Sequence, residues 1–244
     1  MTFLRSLLFN VLFFGWGAIC LAFALLFCAV HRQAIMWMAR RWASGMVDLL
    51  KLIVGLRYEV RGDRRLLRGP AIVASKHQST WDTLIFYLLT RDPAYVMKRE
   101  LGAIPVYGWI ARRQRMIPVD RKGGAAAMRR LLRAAAREIA EGRQIVIFPE
   151  GTRTAPGEHR PYQPGVAALY SHLGREVIPV ALNSGLFWGR RSFIKRPGTI
   201  VVEILAPIPP GLPRDRFMAE LESRIETATR RLEAEARSNA THPK

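Results

Sequence analysis

A histidine and an aspartate five residues apart, His77 and Asp82, stand in the run His77-Gln78-Ser79-Thr80-Trp81-Asp82. If the two side chains meet, the carboxylate holds one imidazole nitrogen and fixes the tautomer. The other nitrogen is then free to act as general base. That pair is the minimum equipment for deprotonating an alcohol. Further along, Ile145-Val146-Ile147-Phe148 runs into Pro149-Glu150-Gly151-Thr152-Arg153. A carboxylate, a flexible glycine, a hydroxyl and a guanidinium therefore gather at the end of a hydrophobic run. Met116-Ile117-Pro118-Val119 ends similarly in an acid–arginine pair, Asp120-Arg121.

Chemistry of this kind needs rigid elements beneath it. The apolar run Ala71-Ile72-Val73-Ala74 before His77 predicts a buried strand. Further β-prone runs fall at 57–60, 94–97, 116–119, 144–148, 177–182 and 199–205, with helical patterns at 80–89, 125–140 and 163–173. Strands alternating with helices predict an α/β fold, a mostly parallel or mixed sheet with helices on both faces. In such sheets ligands bind at the C-terminal ends of the strands. Glu150 to Arg153 fall on that edge, and His77 follows a strand directly. A last charged helix is expected from about Arg214 to Ala236, followed by a flexible tail at 238–244.

The formal charge of +19 on 244 residues asks for an anionic partner: nucleic acid, a membrane surface or phosphorylated substrates. Nucleic acid fits poorly, because no interleaved basic–aromatic motif is present. From Leu7 to Val30 the chain carries no charge over 24 residues. As a helix that run is about 36 Å long, against a bilayer core of about 30 Å. It is too long for a signal-peptide core, and no small-x-small cleavage site precedes His31-Arg32. Length alone leaves spanning and one-sided insertion both open. Arg5 lies on one side and Arg32, Arg40 and Arg41 on the other, so the positive-inside bias keeps the body of the protein cytoplasmic, at the inner membrane. Residues 34–56 form an amphipathic helical pattern, suited to the headgroup layer or to packing on a core. The expected division is thus a membrane-associated helical pair at 1–56, a catalytic domain at 57–237 and the tail. Cys20 and Cys28, the only cysteines, both lie in the apolar segment, so no disulfide framework or cysteine metal site is expected.

Taken in order, His77-x-x-x-x-Asp82, the run ending in Arg121, Phe148-Pro149-Glu150-Gly151-Thr152-Arg153 and Val177-Ile178-Pro179-Val180-Ala181 resemble the blocks of the 1-acyl-sn-glycerol-3-phosphate acyltransferase family. Lys98-Arg99-Glu100-Leu101 also resembles the family's Lys-x-Glu-Leu stretch. The second block departs from the family pattern: Arg115-Met116-Ile117-Pro118 replaces the usual glycine and phenylalanine before the arginine. The resemblance implies a glycerolipid acyltransferase-like fold, with His77 as base and Asp82 orienting it. It implies an acceptor phosphate clamped by Arg121, Arg153 and Lys98, since a guanidinium fork bonds two phosphate oxygens at once. Glu150 would hold Arg153 or bond the glycerol backbone, with Gly151 and Thr152 in the same substrate-binding segment. Backbone amides near Gly151 are candidate oxyanion donors. No Gly-x-Ser-x-Gly elbow surrounds Ser79, so direct attack by the acceptor hydroxyl is expected rather than an acyl-enzyme.

The implied reaction moves a fatty acyl group from an acyl thioester to the free hydroxyl of lysophosphatidic acid, forming phosphatidic acid. The donor is acyl-CoA or acyl-carrier protein; no cofactor or metal is expected. Other acceptors of the same chemistry are another lysophospholipid or glycerol-3-phosphate. A reading of a different class is a non-catalytic protein that binds membrane phospholipids. The basic stretch from Arg112 to Arg137 reads as a solvated helix face, or as a contact for lipid headgroups or an acidic acyl carrier. Tyr107 and Trp109 are candidates for an acyl tunnel or for plain core.

Overall fold

The computed structural model describes residues 1–27 and 31–241. Cys28, Ala29 and Val30 at the end of the apolar run, and His242 to Lys244 of the expected tail, lie outside the described residues. The strands are β1 (Leu56–Arg61), β2 (Ile72–Ser75), β3 (Pro93–Lys98), β4 (Ile117–Val119), β5 (Gln144–Ile147), β6 (Val177–Leu182) and β7 (Gly198–Ile204). All sit where the β-prone runs place them. They form one sheet in the order β1-β7-β6-β2-β5-β3-β4. Every neighbouring pair is parallel except β6–β7. Parallel neighbours need crossover connections, and the helices supply them on both faces.

The helices are α1 (Thr2–Phe27), α2 (Arg32–Leu49), α3 (Trp81–Leu89), α4 (Tyr107–Arg113), α5 (Gly124–Ala140), α6 (Gly165–Leu173) and α7 (Arg214–Thr241). Alternate residues of the central strands bury into opposite layers, as the two-residue repeat of a strand requires. Val73, Val146 and Ile178 face one layer with Trp81, Leu84 and Ile85 of α3. Ile72, Ala74, Ile145 and Ile147 face the other, against Leu131 of α5, Val166 and Leu169 of α6, and Phe217 and Leu221 of α7. The short α4 lay outside the sequence expectation, and α7 continues past its expected end at Ala236 into the segment expected to be tail.

The N-terminal helical pair belongs to the first of these layers. Phe9 of α1, Ala43 and Met46 of α2, and Leu50 and Val54 of the π-helical turn after α2 are buried in its core. For residues 34–56 the packed arrangement is therefore the one found, with Trp37 and Leu52 left exposed. Phe9 meets the Trp188 ring edge-on at 5.5 Å between centroids. The Lys195 amide donates to the Ser6 hydroxyl at 3.0 Å, and Lys195 Nζ donates to Asn10 Oδ1 at 2.6 Å. On its outer side α1 exposes an apolar stripe in which Leu4, Leu8 and Val11, and further along Ile19 and Phe23, follow at three- or four-residue intervals. Over Thr2–Phe23 the helix is long and apolar enough to cross a membrane.

Candidate active site

β2 ends at the sheet centre, and the chain turns over Lys76 to Thr80 into α3. That turn brings His77 Nδ1 to 3.0 Å from Asp82 Oδ2. Asp82 is fully buried in the first turn of α3, where the helix dipole favours a negative charge. Its Oδ2 also accepts from the amides of Gln78 at 2.6 Å and Ser79 at 2.8 Å, while Oδ1 accepts from the Ser184 hydroxyl. A carboxylate so supplied with donors makes Nδ1 the protonated nitrogen and leaves Nε2 as the acceptor. Phe148 stacks on the imidazole, 4.0 Å between centroids and tilted by 19°. The backbone of His77 is held from both sides: its amide donates to Glu150 Oε2 at 2.8 Å, and its carbonyl accepts from the Thr154 amide at 2.8 Å. The third block thus fixes the position of the first.

His77 opens onto a cavity of about 590 Å³ between the N-terminal helices and the end of the sheet. Its body is apolar, walled by Gly17 and Cys20 of α1, Ile35, Met38 and Trp42 of α2, and Tyr87, Tyr95, Ile110 and Met116. At the other end stand Lys98, Arg121, Arg153, Arg190 and Arg191, with Gly151 and Thr152. Arg121 Nη2 donates to the Gly151 carbonyl, and Arg153 Nη1 donates to Thr80 Oγ1 at 2.7 Å. Gly151 has φ of +68°, a conformation that favours glycine, and an added Cβ would come within 3.1 Å of the Arg121 guanidinium. Burial lowers the pKa of Arg153, and the neighbouring Arg190 lowers it further.

An imidazole tied to a buried carboxylate, a cluster of cations and an apolar body now stand in one cavity. Residues 57–183 match the family model described as acyltransferase. The chain is 32% identical to the 1-acyl-sn-glycerol-3-phosphate acyltransferase of Pseudomonas aeruginosa over 227 residues, 91% of this chain and 88% of that one. This chain belongs to the 1-acyl-sn-glycerol-3-phosphate acyltransferase family. The human 1-acyl-sn-glycerol-3-phosphate acyltransferase beta is 30% identical over 166 residues, 67% of this chain and 60% of that one. The fold matches the crystal structure of the 1-acyl-sn-glycerophosphate acyltransferase PlsC from Thermotoga maritima, with a TM-score of 0.76 over 96% of this chain and 98% of that one at 20% identity.

Within this acyltransferase the site residues expected from sequence divide into two groups. His77, Lys98, Arg121, Gly151, Thr152 and Arg153 line the cavity, and Asp82 stands directly behind His77. Glu150 does not line it. Its buried carboxylate reaches neither Arg153 nor the cavity; it pairs with Lys76 Nζ at 2.9 Å and accepts from the His77 amide. The physical reason is the chain reversal after β5, which turns Glu150 inward and Gly151 outward. The Gly151 amide is also engaged, donating to the Phe148 carbonyl at 2.9 Å, so it is not a free oxyanion donor. Tyr107 lines the cavity, whereas Trp109 stands outside it under the Arg113 guanidinium.

Beneath the site lies a polar network that the sequence reading missed. Lys76 Nζ also bonds Glu226 of α7 at 2.7 Å, and Tyr162 donates to the same carboxylate at 3.0 Å. Gln78 Nε2 donates to Glu233 at 2.7 Å, and the Gly185 amide donates to Gln78 Oε1 at 3.1 Å. α7 therefore holds the turn from Lys76 to Thr80 through buried carboxylates two turns apart. Arg190 and Arg191, in the loop after β6, were also missed, because an arginine pair in a loop carries no local signature.

Burial pushes the Glu150 carboxyl up to about 7, against the pull of Lys76. A carboxyl whose folded pKa lies above its unfolded value of 4.5 contributes stability below that value, and the contribution is lost as pH rises through 7. Glu150→Gln is therefore expected to flatten the fall in Tm between about pH 5 and 8. Equal slopes in wild type and variant, by differential scanning fluorimetry, would refute this.

Proposed function

We propose that this acyltransferase moves a fatty acyl group from an acyl thioester to the free hydroxyl of lysophosphatidic acid, forming phosphatidic acid. The observation that carries the reading is the single cavity in which the His77 imidazole lies between an apolar body and a cationic mouth. Arg121, Arg153 and Lys98 bind the acceptor phosphate, and the clamp sets the hydroxyl against His77 Nε2. Positioning of this kind supplies several kcal/mol of barrier reduction. His77 takes the hydroxyl proton as the oxygen attacks the thioester carbonyl. Asp82 stabilises the imidazolium. Collapse of the tetrahedral intermediate breaks the C–S bond, and the departing thiolate recovers the proton from His77. The acyl chain lies along the apolar walls that α1 and α2 provide.

Residues 1–56 serve here as both membrane contact and cavity wall, with 57–237 as the catalytic domain. The exposed apolar stripe of α1 suits the acyl region of a bilayer. Ser6 and Asn10 are bonded to the loop at Phe193–Lys195, and Gly17 and Cys20 line the cavity further along. A helix lying against its own domain over this length supports insertion from one side. In the proposed arrangement the domain faces the cytoplasm at the inner membrane, where membrane phospholipids, lysophosphatidic acid and acyl-CoA or acyl-carrier protein are its partners.

Arg153→Ala is expected to raise KM for lysophosphatidic acid about 10- to 100-fold, since a hydrogen bond to a charged group is lost. Steady-state kinetics against lysophosphatidic acid, other lysophospholipids and glycerol-3-phosphate test the reading. An unchanged acceptor KM in the variant would refute the phosphate assignment, and faster turnover of an uncharged-headgroup acceptor would refute the substrate.

A further inference from the structure

Five cations line one end of the cavity, and the acceptor's phosphate monoester carries at most two negative charges. Among the described residues, Lys98, Arg121, Arg153, Arg190 and Arg191 form no ion pair with any carboxylate. Asp82 and Glu150, the acidic residues of the first and third motif blocks, are both buried away from the cavity, and Asp120, beside Arg121, pairs with Arg99 instead. So much uncompensated charge asks for more anion than one phosphate supplies.

The cations also divide across the sheet. With the order β6-β2-β5-β3-β4, Lys98 at the end of β3 and Arg121 just after β4 lie on one side of His77. Arg190 and Arg191 reach the cavity from the other side, on the loop that follows β6. Arg153 lies between, and its carbonyl accepts from Arg190 Nη1 at 3.5 Å. Two substrates must meet at the base, and the base has a cationic group on each flank.

The loop bearing the second group is built to hold its shape. The Arg196 amide donates to the Phe187 carbonyl at 2.9 Å and closes its neck. Trp188 is buried against Phe9 and Phe13 of α1. Arg191 has φ of +57°, in a turn closed by the Ser192 amide donating to the Gly189 carbonyl at 3.1 Å. Anchored this way, the loop fixes where the backbones of both arginines stand beside the cavity.

We propose that Arg190 and Arg191 form a second anion seat, which binds the phosphate at the end of the acyl donor's pantetheine arm. The proposal rests on the reaction assigned above. The same pantetheine phosphate occurs in two sources, as part of the diphosphate in coenzyme A and as the phosphodiester of a carrier protein. Arginine suits either, because its fork bonds two phosphate oxygens at once.

The test uses the full-length enzyme in detergent, with the double variant Arg190→Gln/Arg191→Gln. Four donors are compared: palmitoyl-CoA, palmitoyl-phosphopantetheine, palmitoyl-carrier protein and palmitoyl-pantetheine, which has no phosphate. KM for phosphate-bearing donors is expected to rise about 10- to 100-fold, with KM for lysophosphatidic acid at its wild-type value. The difference should vanish on palmitoyl-pantetheine, and Arg190→Lys/Arg191→Lys should recover part of the loss. A rise for all three phosphate-bearing donors identifies the shared phosphate; a rise for palmitoyl-CoA alone identifies the diphosphate. A rise in acceptor KM instead, or an equal loss on palmitoyl-pantetheine, would overturn the seat. Wild-type enzyme that transfers no acyl group to lysophosphatidic acid from any donor would overturn the reaction itself, which is a separate and visible failure.

Discussion

His77→Ala is expected to lower kcat by about 10²- to 10⁴-fold, the usual contribution of a positioned general base. KM for both substrates should change little, because a general base acts in the transition state and adds little to ground-state binding. The fold should survive. The His77 side chain is 14% exposed, and without it Asp82 still accepts from the amides of Gln78 and Ser79 and the Ser184 hydroxyl. Single-turnover acyl transfer with circular dichroism on the same sample separates the two effects. Retention of the wild-type rate in a folded variant would mean that another group takes the hydroxyl proton. It would also leave the protein open to a non-catalytic lipid-binding role.

The second large effect is one of stability and lies a single residue away. Lys76→Met is expected to destabilise the protein by about 3–5 kcal/mol, because it leaves buried charges without a partner. The side chains of Lys76, Glu150 and Glu226 are 1%, 0% and 8% exposed. Burial opposes the lysine charge, yet Glu150 and Glu226 hold its pKa above the ordinary value. At about 2–4 °C per kcal/mol for a chain of this size, Tm should fall by roughly 6–20 °C. Glu150→Gln and Glu226→Gln placed on the same background should restore much of the loss, since neutral groups need no counter-charge. Activity should fall with the single change as well, because Glu150 holds the His77 amide. A Tm within about 2 °C of wild type would show that the three groups are not coupled.

These two residues mark the boundary of what could be read locally. His77 and Asp82 are five apart across a strand-to-helix turn, so their meeting follows from local geometry. The strands were equally legible, because β2, β5 and β6 are buried on both faces and appear as unbroken apolar runs. Helix α4 was not, since its seven residues are too few to carry a periodic signal. Glu150 was placed in the right segment and given the wrong task. Its partner Glu226, reached through Lys76, lies on α7, after the last strand and 76 residues further along the chain.

The order of the motif blocks determined the family and the reaction class, and the short spacing brought His77 to Asp82, because those features depend on residue type and near neighbours. Burial and long-range pairing decided the rest. Folding turned Glu150 inward to hold His77, laid α1 and α2 over the sheet to wall the cavity, and brought Arg190 and Arg191 to its mouth. The partners in all three outcomes are distant in sequence. Each follows from which apolar faces must be covered and which buried charges must find partners, and only the assembled sheet settles both.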